Sequence, residues 1–123
     1  MKSAALTQWK GLNRGLIIFI PIISARTPTT INLGQAIASR VKMGFFEYHA
    51  DVSFLNFEIK ETAARRYDIR GKAFYDNILN GISLPVVLTF DTTLLIHPPS
   101  VGQYLLRFYK NQHLVQVDTV QVN

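Results

Sequence analysis

The sequence predicts an all-β fold, an antiparallel β-sandwich, and three observations lead to that prediction. Apolar and polar residues alternate along Phe45–Lys60 with the period of two that a half-buried strand shows. The same period recurs in Gly102–Tyr109, close to the C-terminus. Gly and Pro turn signals separate many short apolar segments between and around these stretches, a pattern typical of sandwiches and barrels.

The C-terminal stretch Ser100–Asn123 is predicted to form a β-hairpin. A polar turn, Lys110-Asn111-Gln112, joins an alternating strand to a Val-rich strand. Three residues of one parity on the first strand are predicted core residues: Tyr104, Leu106 and Phe108. A lone hairpin is marginally stable in water, so this one needs a partner sheet.

Two segments change the parity of their apolar residues. The apolar set of Phe45–Lys60 moves to the other face near Phe54-Leu55, which predicts a β-bulge or a bend that switches sheets. In the last strand Val117 and Val120 have opposite parity, which predicts a kink near Asp118-Thr119.

The remaining segments are taken in chain order. We predict a connector (Arg26–Thr30), a strand in preference to a helix (Ile31–Met43), a strand ending at Gly71 (Glu61–Lys72), a helix or strand (Ala73–Leu79), a turn (Asn80-Gly81), two short strands (Leu84–Phe90 and Leu94–Ile96) and a stiff loop (His97–Ser100).

Composition limits the possibilities. The chain has 123 residues, which suits one domain over residues 1–123, with residues 1–15 as an N-terminal arm. It has no cysteine, which excludes disulfides and thiolate metal sites. Charged residues make up 17% of the chain against about 25% in a typical domain, and hydrophobic residues make up 48%. Either the protein is an unusually apolar monomer, or part of its surface is buried against other subunits.

The apolar run Leu16–Ala25 is predicted to be a buried strand that the mature protein retains. A secretory leader ending at Ala25 is the alternative, but Pro21 lies inside the run and Ile23 is large for its place before a cleavage site. The run is too short to cross a bilayer, which takes about 20 apolar residues. Because it has no polar face, we predict that a neighbouring subunit covers one side, through the candidate interface residues Leu16, Ile18, Ile20 and Ile22.

The end of the chain resembles one strand of a known family. Pro98–Tyr109 is similar to the penultimate strand of immunoglobulin-like modules, in which a Gly-x-Tyr step opens the strand. The resemblance implies that Gly102 and Tyr104 form that step and that the Tyr104 hydroxyl bonds back to the preceding loop. The family's buried Trp and paired cysteines are absent. A jelly roll of the kind found in viral capsids fits the number of strands as well, so both Greek-key types stay open.

No combination of residues indicates catalysis. His49 and Asp51 share a polar strand face that could hold a metal, but an exposed face explains them more simply. His97 and His113 are far from them in sequence. Nucleophile-elbow and phosphate-cradle motifs are missing. We therefore expect no enzyme activity, no cofactor and no metal.

A basic cluster is the one candidate binding motif. Its residues are Arg65, Arg66, Tyr67, Arg70 and Lys72, in a chain of net charge +5. This composition is typical of a phosphate-binding surface with an aromatic for stacking. The alternative is a solvated strand face that protects a sheet edge from aggregation.

Together these features favour a non-enzymatic structural or assembly subunit of a larger complex. We expect its partners to be other protein subunits, in a homo- or hetero-oligomer, and its setting to be a virion, as a bacteriophage capsid, vertex or tail component. One alternative is a cytoplasmic nucleic-acid-binding β-barrel that contacts nucleic acid or an anionic surface through the basic cluster. Another is a secreted adhesion module with Met1–Ala25 as its leader.

Overall fold

A computed structural model of the protein describes residues 15–48, 51–76 and 85–123. All regular structure in these residues is β-strand, so the all-β prediction is confirmed. The strands form a six-stranded sheet, sheet A, and a three-stranded sheet, sheet B. Sheet A contains β1 (Gly15–Ile20), β3 (Thr30–Ile31), β5 (Asp51–Ala63), β6 (Arg66–Asp76), β8 (Gly102–Lys110) and β9 (His113–Val122). Sheet B contains β2 (Ile22–Arg26), β4 (Ile37–Tyr48) and β7 (Pro85–Ile96).

Strand β6 is the centre of sheet A. It pairs with β5 along one side, and on its other side β8 covers 66–69 while β1 covers 71–76. The other five strand pairs among the described residues are antiparallel, as predicted, but the β6–β8 pair and the β3–β9 pair are parallel. The reason lies in the connection: β7 returns through sheet B, so β8 enters sheet A in the same direction as β6.

Four strands form two long antiparallel pairs, one in each sheet. Strands β4 and β7 pair in sheet B, and β5 and β6 pair in sheet A. Since β5 follows β4 and β7 follows β6, the two pairs form consecutive halves of one ribbon shared between the sheets. The predicted Asn80-Gly81 turn lies outside the described residues, as do residues 1–14 of the predicted arm.

The predicted bulge at Phe54-Leu55 is confirmed. The β5–β6 register shifts between Phe54 and Asn56, so Leu55 is the extra residue. The chain changes sheets earlier, between Tyr48 and Asp51. The kink predicted at Asp118-Thr119 is wrong, because the shift in β9 falls at Val115 and pairing is regular after it.

The parity change in β9 has a simple cause. Val117 is exposed, whereas Val120 and Val122 are buried. Apolar residues therefore occupy both faces of a regular strand, which a sequence pattern cannot distinguish from a kink.

The core lies between the sheets and confirms the predicted core residues. Tyr104, Leu106 and Phe108 are fully buried. Sheet B contributes residues that include Ile37, Val41, Met43, Leu94 and Ile96. The Tyr104 hydroxyl donates to the Ser100 carbonyl oxygen at 2.8 Å and accepts from the Ser100 N–H at 3.3 Å. The contact that the resemblance implies is thus present.

The prediction that a strand ends at Gly71 is wrong, because Gly71 lies buried inside β6. A Cβ there would come 2.5 Å from the Met43 sulfur and 2.9 Å from Ile20 Cγ2. A larger residue here would have to displace Met43 of sheet B and Ile20 of the neighbouring strand β1, so glycine fits close packing and not a turn. The two short strands predicted over Leu84–Ile96 are one strand, β7. Of the strand preferred over Ile31–Met43, only Ile31 and Ile37–Met43 are strand, and residues 32–36 form a turn between them.

Polar side chains also link the two sheets, through hydrogen bonds between β9 of sheet A and residues in or next to β2 of sheet B. Thr27 Oγ1 donates to Asp118 Oδ2 at 2.6 Å and lies 2.7 Å from the hydroxyl of the fully buried Ser39. Gln116 Nε2 donates to Asp118 Oδ1 and to the Ala25 carbonyl, each at 2.7 Å. These bonds satisfy polar groups that would otherwise be costly inside a sandwich.

Candidate interaction surface

The outer face of sheet A is the main candidate surface. On β6 the residues Ile69, Gly71 and Ala73 are buried, so their neighbours point away from sheet B. Register places residues of β1, β5, β8 and β9 on the same side. We define this outer face by Ile17, Phe19, Glu58, Lys60, Arg66, Asp68, Arg70, Lys72, Arg107, Tyr109, Leu114 and Val117.

Large apolar side chains are exposed on this face. Ile17 is 60% exposed and Phe19 43%, and register sets Phe19 beside Lys72 of β6. On β9, Leu114 is 48% exposed and Val117 46%. Scattered apolar residues are ordinary on a protein surface, but a group on one sheet face indicates an interaction site.

The run Leu16–Ala25 is divided by Pro21, where the chain passes from β1 in sheet A to β2 in sheet B. Ile20 and Ile22, on either side of Pro21, are 1% exposed, and Ile18 packs partly against the same core. These three candidate interface residues therefore face the chain's own core. The side chain of Leu16 lies outside the described residues.

Three apolar side chains of this run are exposed. Ile17 and Phe19 have the opposite parity to Ile18 and Ile20, and Ile23 lies at a register shift in β2. The sequence could not identify them because both parities of the run are apolar, so periodicity gives no inner face.

An ion pair holds the centre of the outer face. Arg107 Nε donates to Asp68 Oδ1 at 2.7 Å and Arg107 Nη2 to Asp68 Oδ2 at 3.0 Å, a bidentate pair across the parallel β6–β8 contact. The Tyr109 hydroxyl donates to Asp68 Oδ2 at 3.3 Å. The hydrogen bond from Arg107 lowers the pKa of Asp68, and burial opposes that effect.

The arginines of the basic cluster are partly used by the fold itself. Arg70 donates to the Asn111 carbonyl at 2.9 Å, and its guanidinium lies 4.2 Å from the centre of the Tyr109 ring. Arg66 donates to Thr62 Oγ1 at 3.1 Å. Arg65 has φ 59° in the β5–β6 turn, and its side chain lies against Gly102.

Tyr67 does not share a face with the arginines. It stacks on Tyr104 with ring centres 6.2 Å apart and planes 4° apart, on the core side of β6. Burial, with a smaller contribution from Glu61, raises the pKa of Tyr67. The aromatic that Arg70 contacts is Tyr109, which the sequence pattern did not indicate because it lies on another strand.

Sheet B carries a second group of cations that sequence reasoning missed. Arg26, Arg40 and Lys42 line an open depression of about 420 Å³ together with Ser24, Ala25 and Asp91. Arg40 Nε lies 3.3 Å from Asp91 Oδ1 in an exposed ion pair. The alternation Arg40-Val41-Lys42 could have indicated one side of this surface, but Arg26 joins it only through the β2–β4 pairing.

The described residues hold no group of three His, Asp or Glu side chains that could bind a metal. His97 and His113 are exposed, and His49 lies outside the described residues. No helix within those residues is long and apolar enough to cross a membrane.

The chain matches no protein-family model, no curated protein and no solved structure.

Proposed function

We propose that this protein is a non-enzymatic assembly subunit that binds another protein subunit through the outer face of sheet A. The observation that carries the proposal is the set of exposed apolar side chains on β1 and β9. Fully burying one side chain of this size is worth about 1.5–3 kcal/mol. A partner that covers several of them therefore gains much of the free energy that a stable interface needs.

The charges of the face indicate the chemistry of the partner. Lys60, Arg66, Lys72 and Arg107 lie on it with Glu58 and Asp68, so cations are in excess around the apolar groups. Complementary charges across an interface favour correct association. Because the charged residues of β6 and β8 lie between the apolar residues of β1 and β9, we infer a partner surface with carboxylates opposite this centre and apolar groups on either side of them.

We propose a virion as the setting, with this chain as a bacteriophage capsid, vertex or tail component. The support comes from the ribbon that β4–β7 and β5–β6 form across two sheets, since double-sheet jelly rolls are built in a similar way and occur in viral capsids. The tyrosine contact to Ser100 would also suit an immunoglobulin-like module. We favour the jelly-roll arrangement because the ribbon involves four strands and the tyrosine contact only one.

Sedimentation velocity at micromolar concentration tests the proposal. We expect the unsubstituted protein to sediment as an oligomer, and the double variant Ile17→Lys, Val117→Lys to lose the contact through sheet A. Val101→Lys is the matched control, because Val101 is 55% exposed but lies in the loop before β8. Circular dichroism should show the same β spectrum for all three proteins.

Two outcomes would contradict the proposal. One is a well-behaved monomer for the unsubstituted protein across the concentration range. The other is an assembly whose mass the double variant leaves unchanged.

A second candidate function, nucleic-acid binding, is favoured by one observation, the depression lined by Arg26, Arg40 and Lys42. Of these three cations only Arg40 has an ion-pair partner among the described residues. Cations along a groove attract phosphates and release counterions on binding.

Filter binding at increasing salt tests this candidate. If nucleic acid binds in the depression, affinity falls steeply with salt, and Arg26→Ser with Lys42→Ser abolishes it. The triple variant Arg65→Ser, Arg66→Ser, Arg70→Ser then retains binding. Loss only in the triple variant would assign binding to the basic cluster, and no binding at low salt would exclude both surfaces.

A further inference from the structure

Strand β7 forms one edge of sheet B and is the least protected edge in the described part of the chain. Its residues Pro85–Ile96 pair only with β4 there, in twelve consecutive pairs with no register shift. Asp91 is the only charged residue of the strand. A long, regular edge with few charges is a template for pairing with another strand.

The other edges carry the features that prevent such pairing. Strands β1, β2 and β3 are short, with six, five and two residues, and Pro21 separates the first two. Strand β5 is long, but it contains two register shifts and the charged residues Glu58, Lys60 and Glu61. Short length, proline, bulges and charges are the usual means of blocking an edge, and of these β7 has only Pro85 at its start and the single charge of Asp91.

We propose that β7 pairs antiparallel with β7 of a second copy of this chain, which joins the two three-stranded B sheets into one continuous sheet. The pairing has twofold symmetry, so one strand supplies both partners. It is independent of the contact proposed for sheet A, because it uses backbone groups of the other sheet.

The side chains of β7 select the register of this pairing. Leu94 and Ile96 are buried, and Phe90 and Thr92 are half-buried on the same side, so residues of this parity must face each other across the new pair. A pair centred on Asp91 would oppose two carboxylates, which is destabilising.

Centring on Thr92 avoids this repulsion. It places Phe90 opposite Leu94 on the inner side and Asp91 opposite Thr93 on the outer side, where a hydroxyl can donate to a carboxylate. The inner side is then apolar opposite apolar, and the centre of the outer side is polar opposite polar, with Thr89 facing Leu95 further along. The second copy therefore fits this edge both in charge and in apolar pattern.

Cysteine cross-linking tests both the pairing and its register, since the chain has no native cysteine. In Thr92→Cys the two thiols lie directly opposite, with Cα atoms about 4.5–5.5 Å apart, a distance that a disulfide spans. With oxidised glutathione as the oxidant, we expect at least about tenfold more disulfide dimer than from Ser24→Cys, because pairing raises the local thiol concentration to the millimolar range. Ser24 is exposed on β2, at the other edge of the same sheet, and serves as the control for random collision.

A mixture of two single variants provides the second measurement. Asp91→Cys copies mixed with Thr93→Cys copies should form the mixed dimer, whereas Thr93→Cys alone should form little, because its two copies lie on a diagonal of about 7–8 Å. The variant Ile17→Lys should not change either yield.

The proposal fails if Thr92→Cys and the mixture both give no more dimer than Ser24→Cys. It also fails in its register if Thr93→Cys alone cross-links better than Thr92→Cys. The mixture keeps the test valid if Thr92→Cys does not fold, since Asp91 and Thr93 are exposed and tolerate substitution.

Discussion

Strand β8 and the run formed by β1 and β2 are both apolar, but the fold uses them differently. On β8 the apolar residues of one parity are fully buried, and the opposite face is tied down by the Asp68–Arg107 pair. On β1 and β2, Ile20 and Ile22 are buried, while Ile17 and Ile23 stay more than half exposed. The apolar side of β8 is fully buried within the chain, whereas β1 and β2 have more apolar surface than the described residues cover. The excess is what we assign to a partner.

The largest effect expected is on β8. Phe108→Ala removes a fully buried ring and should lower the free energy of unfolding by about 3–5 kcal/mol in a denaturant titration. Gln103→Ala, exposed on the same strand, is the control and should stay within about 0.5 kcal/mol. A loss below about 1 kcal/mol for Phe108→Ala would show that β8 does not face the core.

Two adjacent residues of the run, Ile22 and Ile23, should differ in their contribution to stability. Ile22→Ala should cost about 2–5 kcal/mol, because Ile22 is 1% exposed and truncation leaves a cavity. Ile23→Ala, 52% exposed at the bulge of β2, should cost no more than about 0.5 kcal/mol in the monomer. Equal losses in the two variants would mean that both parities are buried within one chain.

The ion pair on β8 predicts a dependence of stability on pH. The Asp68 side chain is 12% exposed, and its pKa is lowered chiefly by the hydrogen bond from Arg107. A lowered folded-state pKa means that the unfolded state binds the proton more tightly. The stabilisation is therefore complete above the ordinary aspartate pKa of about 3.9 and is lost as pH falls through the lowered value.

Asp68→Asn should remove this contribution. Near neutral pH the variant should be about 1.5–3 kcal/mol less stable, the range for hydrogen bonds to charged groups. Below the lowered pKa of Asp68 the two proteins should converge in stability. A constant difference down to the lowest pH at which both stay folded would contradict the assigned role.

The smallest effect expected concerns the tyrosine contact at the start of β8. Tyr104→Phe keeps the ring and removes the hydroxyl that donates to the Ser100 carbonyl at 2.8 Å. It should cost about 1 kcal/mol, because the Ser100 carbonyl loses its donor in a partly buried hydrogen bond. Tyr67→Phe, which keeps the stacking on Tyr104, is the comparison variant and should cost less.

Local patterns predicted much of the fold. Alternation identified the buried face of β8, the parity change identified the bulge at Leu55, and the resemblance at Gly102-x-Tyr104 implied that the tyrosine hydroxyl bonds to the preceding loop, where it meets Ser100. Each of these features depends on residues that are close in sequence, so the pattern contains the information.

The features that were missed depend on contacts between distant residues. Gly71 lies inside β6 because Met43 and Ile20 pack over it, and neither is near it in sequence. Arg26 meets Arg40 and Lys42 only when β2 pairs with β4. The parallel β6–β8 contact arises because β7 lies in the other sheet. Ile18, Ile20 and Ile22 face the chain's own core, which the sequence could not show because the run has no polar residue to mark its outer side.

The most direct test of the central claim is hydroxyl-radical footprinting of the unsubstituted protein at two concentrations, one below and one above assembly. We expect Ile17 and Phe19 to be oxidised in the dilute protein and protected in the assembled one, while Val101 is oxidised equally in both. Oxidation of Ile17 and Phe19 that is unchanged by assembly would show that no partner covers the apolar excess of β1, and would contradict the account.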